Sequence, residues 1–530
     1  MGRKLPIDTQ TFEILRTDGY KYVDKTVYIQ KLLDKGRIFF LSRPRRFGKS
    51  LFVSTLESYF SGRKDLFEGL EIEKYENEKG DKAWQQYPVV SFHLSGGSFK
   101  EESGLEDRLS EIIDDCAEKY GLDAGQIRGE TSPVRFSRLI RSLYNKYSKP
   151  VVVLVDEYDN PLLKADGEER EHKNRELYKS FFGVLKDQDQ YLKFVFFTGV
   201  TKFAKVSIFS DLNQLKDISL LDQFSGICGF TEKEIAETFA ADIHTMADSQ
   251  HMTTEECINE LRRMYDGYHF SRTSEGIYNP YSLLNALSDR FFDNYWFESA
   301  TPTFLIKRLK NSPITVEQFE NGLEADESEL KDYRTDNPNP VPLFYQSGYL
   351  TIHGYDAEFK SFQLGFPNSE VKYGFLKSLV PYVYGEKNDG ESAYSAKNLV
   401  SSLRKGDTTA LHDELYSLFA SAPYMTTKAT RYEEVWRNQI YLVFELLGEY
   451  VKCEQHTARG RSDCVIETQD FVYIFEFKID GSADEALEQI ETQDYAGKYR
   501  ADGRVLIKVG VSFSSEKRNI DDWKTVTENA

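Results

Sequence analysis

One run constrains this chain more than any other: RIFFLSRPRRFGKSLFVSTLESYF, residues 37–60. An apolar, aromatic run is followed by a short loop ending Gly48-Lys49-Ser50, and then by an apolar stretch free of glycine and proline. A strand, a tight loop and a helix in that order aim successive backbone N–H groups and a helix N-terminus at one point, which is what holds phosphate oxygens. On this reading Arg45, Arg46, Phe47, Gly48, Lys49, Ser50 and Leu51 cradle a triphosphate. Lys49 reaches the β- and γ-phosphates, and the Ser50 hydroxyl joins a Mg²⁺ shell. The loop departs from the G-x-x-x-x-G-K-S pattern at its start, where Arg43 stands in place of the first glycine. The chain leaves the strand there, so a side chain is tolerable if Pro44 fixes the turn. Arg43, Arg45 and Arg46 then add positive charge beside the phosphates.

A phosphate loop of this kind needs an acidic strand tip for the metal shell and a carboxylate to activate water. VVVLVDEYDNP, residues 151–161, supplies Asp156 for the metal and Glu157 as general base. The blander alternative, two acids opening a solvated loop, is weakened by the phosphate loop about a hundred residues upstream. FVFFTGVTKF, residues 194–203, ends a further strand in Thr198, Thr201 and Lys202. A strand inserted between the two motifs places a polar tip near the γ-phosphate, and Thr198 is the residue expected there. Its alternative is a threonine satisfied locally. In YKYVDKT (20–26), Tyr22, Asp24 and Lys25 are candidates for the same cleft, with packing or capping as the competing role.

Four apolar runs (37–42, 88–94, 150–157 and 191–200) alternate with helix-like stretches. ESGLEDRLSEIIDDCAEKYG, for example, puts Leu105, Leu109, Ile112 and Ile113 on one face. Buried strands alternating with helices predict an α/β fold with a parallel sheet, which we place at 1–230. A helical lid follows at 231–310, opened by Thr231 as N-cap with Glu234 as its capping-box partner. Residues 311–425 form a helical, winged-helix-like middle. There, 311–342 contain a linker, LFYQSGYLTIHGY and SFQLGFPN form a hairpin, and a helix starts near Ser369. Residues 426–530 return to strands. A chain of 530 residues is too long for one core. It has no apolar run of membrane-spanning length and no signal-like N-terminus. Five scattered cysteines without a C-x-x-C argue for a reducing compartment, the cytoplasm. A net charge of −19 excludes general nucleic-acid coating, so any such contact must be local.

GRSDCVIETQDFVYIFEFKIDGSADEALEQIETQDYAGKY, residues 460–499, holds a second constellation. Residues two apart in a strand share a face, so Glu476 and Lys478 project together and a neighbouring strand can bring Asp463 beside them. Two carboxylates and a lysine suit Mg²⁺-dependent phosphodiester hydrolysis: Asp463 and Glu476 hold the metal, and Lys478 activates water or offsets developing charge. The alternative is a structural Glu–Lys pair, since charges in an otherwise apolar strand are costly unless paired or metal-bound.

The segments YVDKTVYIQKLL…FFLSRPRRFGKSLFVSTLESYF, VVVLVDEYDNPL, FFTGVTKF, GFTEKEI and YDGYHFS…YNPYSLLNAL together resemble the AAA-ATPase-like family of bacterial proteins. The pattern G-R-x-D…E-x-K…Q-x-x-x-x-x-Y resembles the PD-(D/E)xK nuclease superfamily domain appended to them. The first resemblance implies ATP and Mg²⁺ binding and makes the arginine-rich loop a family feature; the aromatics of YDGYHF are expected in the core. The second places Gln489 and Tyr495 in the nuclease-like cleft and makes Glu445 a candidate upstream acid. Charge argues against cleavage, because residues 431–530 hold 13 Lys/Arg against 20 Asp/Glu. Arg459, Arg461, Lys498 and Arg500 are the available phosphate track. The expectation is a P-loop ATPase coupled to a nuclease-like domain acting on DNA, with no membrane partner and a homo-oligomer left open. The alternatives are a nucleotide-dependent signalling switch whose last domain binds without cutting, and a chain whose phosphate loop is structural only.

Overall fold

The computed structural model describes residues 4–96, 99, 103–165, 168–202, 212, 214–299, 305, 309, 318–331, 339–384, 396–420, 432–448, 451–455, 463–500 and 503–528. The chain divides into two compact units. One comprises Met1–Thr301, Lys307–Ser312 and Gly322–Val371, and the other Pro302–Ile306, Pro313–Asn321 and Lys372–Ala530.

The first unit is built on a parallel sheet of β1 (Ile38–Ser42), β2 (Val89–His93), β3 (Val151–Asp156), β4 (Leu192–Gly199) and β5 (Lys216–Asp217), in the order β2-β3-β4-β1-β5. All of β3 is buried, and so is β4 apart from Lys193, as expected of strands covered on both faces. The register pairs His93 with Asp156, Leu41 with Thr198 and Ser42 with Gly199, so polar residues gather along the carboxyl edge. Ligands of open parallel sheets bind outside that edge. Within the helix-like stretch 102–121 the helix spans Gly104–Lys119 and buries its expected face, Leu105, Leu109, Ile112 and Ile113.

A second core gathers Phe239, Ile243, Met246, Leu261, Tyr265, Leu283 and Leu287 from the helices Glu232–Ser249, Thr254–Tyr265 and Pro280–Asp289. Thr231 and Glu234 form the expected capping box. The aromatics of YDGYHF, Tyr265, Tyr268 and Phe270, are buried as expected. An antiparallel sheet of β6 (Leu323–Asp326), β7 (Thr351–Asp356) and β8 (Ser361–Gly365) completes this unit. The expected hairpin is therefore present, but LFYQS is not its arm. Pro342 sits in the first turn of a helix, Val341–Ser347, which Gly348 (φ +92°) ends. β6, within the stretch expected to be a linker, is polar at every second residue and pairs with β8. The helix near Ser369 begins at that residue.

The second unit holds helices Ala396–Lys405, Thr408–Ala420 and Tyr432–Leu447 and a mixed sheet, order β13-β12-β11-β10-β9. Its strands are β9 (Lys452–Gln455), β10 (Cys464–Glu467), β11 (Phe471–Ile479), β12 (Val505–Ser514) and β13 (Asn519–Glu528). Only β11 and β12 run parallel. The helix Ala483–Thr492 connects them and packs so closely that a Cβ on Gly510 would come within 2.3 Å of the Ala483 carbonyl.

Candidate functional site

The turn after β1 is fixed from several sides. Gly48 adopts φ +91° as N-cap of the helix Lys49–Phe60, a conformation that favours glycine, and a Cβ there would meet nothing within 4 Å. Phe47 is buried, with Tyr268 and Phe270 packed edge-on at 4.8 and 5.4 Å, and its carbonyl accepts the Gly229 N–H at 3.1 Å. Trp296 Nε1 donates to the Arg45 carbonyl at 3.0 Å. Arg43, expected beside the phosphates, is turned inward and is 1% exposed. Its guanidinium donates to the carbonyls of Ser42 (2.8 Å), Ser219 (2.9 Å) and Phe224 (3.0 Å) and lies 4.1 Å from the Phe270 ring centre. A buried cation is tolerable only when so hydrogen-bonded, so the residue replacing the first glycine ties the loop to the segment after β5.

The loop opens onto a cleft of about 520 Å³, within the range of small-molecule sites. Arg45, Arg46, Phe47, Gly48, Lys49, Ser50, Leu51 and Glu157 all line it. Lys49 Nζ donates to the carbonyls of Arg43 (3.0 Å) and Pro44 (2.8 Å); burial lowers its pKa, opposed by the carboxylates of Asp156 and Asp159. Ser50 is half-buried at the first turn of the helix. Glu157 holds φ +54°, a strained conformation for a side chain of this kind. Asp156 (4% exposed) and Thr198 (0% exposed) are buried at their strand tips rather than on the cleft wall. His93 Nδ1 stands 3.9 Å from Asp156 Oδ2, and that carboxylate raises the imidazole pKa. The Asp156 Oδ1, Thr198 Oγ1 and Thr201 Oγ1 atoms are buried with no hydrogen-bond partner among the described residues. Buried polar atoms are rarely left so. An acceptor and two hydroxyls without partners, next to a lysine and a helix N-terminus, fit a hydrated Mg²⁺ on a nucleotide.

Of YKYVDKT, Tyr22 and Lys25 line the cleft and Asp24 does not. Asp24 caps, accepting from Thr26 N (2.8 Å) and Glu71 N (2.7 Å). Lys25 Nζ donates to both carboxylate oxygens of Glu234 at 2.6 and 2.7 Å. Sequence reasoning passed over Asp159, which lies inside the quoted motif, three residues after Asp156. Its Oδ2 accepts the N–H groups of Val200 (3.1 Å) and Thr201 (2.6 Å), joining the β3 tip to the β4 tip; burial raises its pKa to about 6.

In the second unit β10 and β11 pair Cys464 with Phe475, which brings Asp463 opposite Glu476. Asp463 Oδ2 accepts the Phe477 N–H at 2.8 Å. Glu476 is 2% exposed; burial, then the charge of Asp463, raises its pKa to about 7. Its Oε1 accepts from Lys478 Nζ at 3.0 Å, while Oε2 is buried with no partner among the described residues. Lys478 Nζ also donates to Gln489 Oε1 at 2.6 Å, and Gln489 Nε2 reaches the Tyr495 hydroxyl at 3.4 Å. Asp463, Glu476, Lys478, Gln489 and Tyr495 are thus gathered, and the open carboxylate oxygen fits a cation. Glu445 pairs with Lys372 at 2.5 Å, which offsets the cost of an acid on an apolar helix. Arg500 is paired with Asp494 at 2.7 Å, Lys498 lies over the Tyr499 ring, and Arg459 and Arg461 lie outside the described residues. Among the described residues no group of three or more His, Cys, Asp and Glu gathers as a metal cage. Mg²⁺ is usually held by one or two carboxylates together with substrate phosphates. Among the described residues no helix is long and apolar enough to cross a membrane.

Residues 6–209 match the family model described as predicted AAA-ATPase, and residues 431–523 match that of the PD-(D/E)XK nuclease superfamily. The chain is 34% identical over 529 residues to the "Uncharacterized protein in vnfD 5'region" of Azotobacter chroococcum mcd 1, covering 98% of each chain.

Proposed function

This chain belongs to the AAA-ATPase-like family and carries a C-terminal PD-(D/E)XK nuclease superfamily domain, and from that premise we propose that it is a cytoplasmic ATPase whose nucleotide state controls a Mg²⁺-dependent nuclease-like domain acting on DNA. Residues 1–230 serve as the ATPase body, 231–310 as its lid, 311–425 as a connecting region and 426–530 as the nuclease-like domain. Arg45, Arg46, Phe47, Gly48, Lys49, Ser50, Leu51, Asp156 and Thr198 bind ATP, with Ser50 and Asp156 holding Mg²⁺. Mg²⁺ held there would offset the negative charge of the phosphates. Glu157 orients the attacking water and takes its proton. In the second unit Asp463 and Glu476 hold the metal, and Lys478 supplies positive charge at the scissile phosphate.

The observation that carries this reading is the partnerless buried Oδ1 of Asp156 in a chain whose Lys49 feels that carboxylate. Lys49→Ala should abolish ATP binding, measured by equilibrium titration with a fluorescent ATP analogue; unchanged affinity would remove the ATPase half. Glu476→Ala should abolish Mg²⁺-dependent plasmid nicking, and a wild-type chain that cuts no nucleic acid with or without ATP would remove the other half. A second reading, a nucleotide-dependent switch that binds a partner without cutting, is favoured by the excess of acids over bases in residues 431–530.

A further inference from the structure

The cleft is lined by six cations, Lys21, Lys25, Arg45, Arg46, Lys49 and Lys164, and their partners divide them. Lys164 Nζ donates to the Ser95 carbonyl at 3.3 Å. Lys21 pairs with Asp242 and Lys25 with Glu234, while Lys49 is held by two loop carbonyls. Arg45 and Arg46 are exposed, and among the described residues no carboxylate pairs with either. An unpaired guanidinium in a strongly acidic chain is a charge held ready for an anion. Arg46 is set further apart. It adopts φ +66°, in the left-handed region, and its guanidinium lies 4.6 Å from the ring centre of Tyr281, another residue of the cleft wall. Tyr281 is itself fixed, since its N–H donates at 2.9 Å to the Asn279 side chain that caps the helix Pro280–Asp289. The loop backbone around Arg46 is fixed by the Trp296–Arg45 bond on one side and the Gly229–Phe47 bond on the other. A cation so arranged needs little reorganisation when charge develops beside it.

We propose that Arg46 is a catalytic residue that supplies, from within the same chain, the positive charge which stabilises the transition state of ATP hydrolysis, so that no neighbouring subunit has to provide it. The inference rests on the ATPase reading above. In the step it serves, a water oxygen bonds to the γ-phosphorus and the bond from that phosphorus to the β,γ-bridging oxygen breaks. The electron pair leaves on ADP, and the water proton passes to Glu157. Negative charge grows on the bridging and γ-oxygens, and Arg46 meets it there. Arginines in this role are worth roughly 10³–10⁵ in rate.

The test compares wild type, Arg46→Ala and Arg46→Lys in single turnover, in affinity for a fluorescent ATP analogue and in retention of ADP with aluminium fluoride, which mimics the planar γ-phosphoryl. Arg46→Ala should bind the analogue within about tenfold of wild type, lose about 10³ in single-turnover rate and fail to retain the fluoride complex. Arg46→Lys should recover part of each, because the point charge survives without the fork. Mixing Arg46→Ala with Lys49→Ala chains should restore nothing, and wild-type turnover per chain should not depend on protein concentration. Hydrolysis by Arg46→Ala near the wild-type rate, or rescue by mixing, would overturn the inference and leave the ATPase reading standing. Wild-type protein that binds ATP but never hydrolyses it would overturn both.

Discussion

At the residue scale, a buried carboxyl outside both sites gives the chain a pH dependence. Glu370 is held by the Ser282 hydroxyl and the Trp296 N–H, both at 2.7 Å, and burial raises its pKa from an ordinary 4.5 to about 8. Between those values the native state alone keeps the proton, so stability falls as pH rises from about 4.5 through about 8 and levels off beyond. Glu370→Gln cannot ionise and keeps one acceptor. Its urea midpoint should therefore decline less steeply than that of wild type between about pH 5 and 8.5; parallel profiles would show that the carboxyl does not titrate in that window. Single residues were legible in the sequence where backbone demand is local. The places of Gly48, Lys49 and Ser50 at the junction of loop and helix could be read from spacing alone, because that junction dictates their geometry. Arg43 could not, because its inward turn depends on carbonyls of Ser219 and Phe224, some 180 positions away. Asp159 escaped for the same reason, since its partners lie some 40 positions on, just past the end of β4.

At the element scale, legibility followed burial. β1, β3 and β4 are nearly continuous apolar runs, so composition alone announces them. β13, at one end of its sheet, reads NIDDWKTVTE and is charged like a loop, because an edge strand blunts its open side with polar residues. β6 was lost to the same polarity. Caps were legible when both partners lie three apart, as in Thr231 and Glu234, but the second duty of Glu234 was not. It also neutralises buried Lys25 in the cleft wall. The two substitutions should therefore differ. Thr231→Ala removes a cap, worth about 1 kcal/mol, whereas Glu234→Ala also strands a lysine and should cost about 3 kcal/mol. Urea unfolding of the two variants decides; equal costs would show that the ion pair contributes nothing. Gly510→Ala should likewise destabilise the second unit by about 1–3 kcal/mol by overpacking, since the added carbon meets the Ala483 carbonyl.

At the scale of the whole molecule, the chain does not divide at one point. The second unit takes Pro302–Ile306 and Pro313–Asn321 from before the end of the first. Phe319, fully buried, packs against Phe375 with ring centres 5.4 Å apart, and both belong to the second unit. Sequence composition hid this, because a short polar stretch around 311–342 looks like a linker whether or not one aromatic in it is buried. A fragment starting at Lys372 therefore lacks a core side chain, a loss comparable to a Phe→Ala change of about 3–5 kcal/mol. Calorimetry of the full chain should resolve two transitions. Mg²⁺ and ATP at about 100 Kd should raise the one belonging to the first unit by the equivalent of ~2.7 kcal/mol, and Lys49→Ala should erase that shift. Phe319→Ala should lower the other transition by about 10 °C and leave the ATP-dependent one in place. If Phe319→Ala instead moves the ATP-dependent transition, the residue supports the ATPase unit, and the discontinuous boundary is wrong.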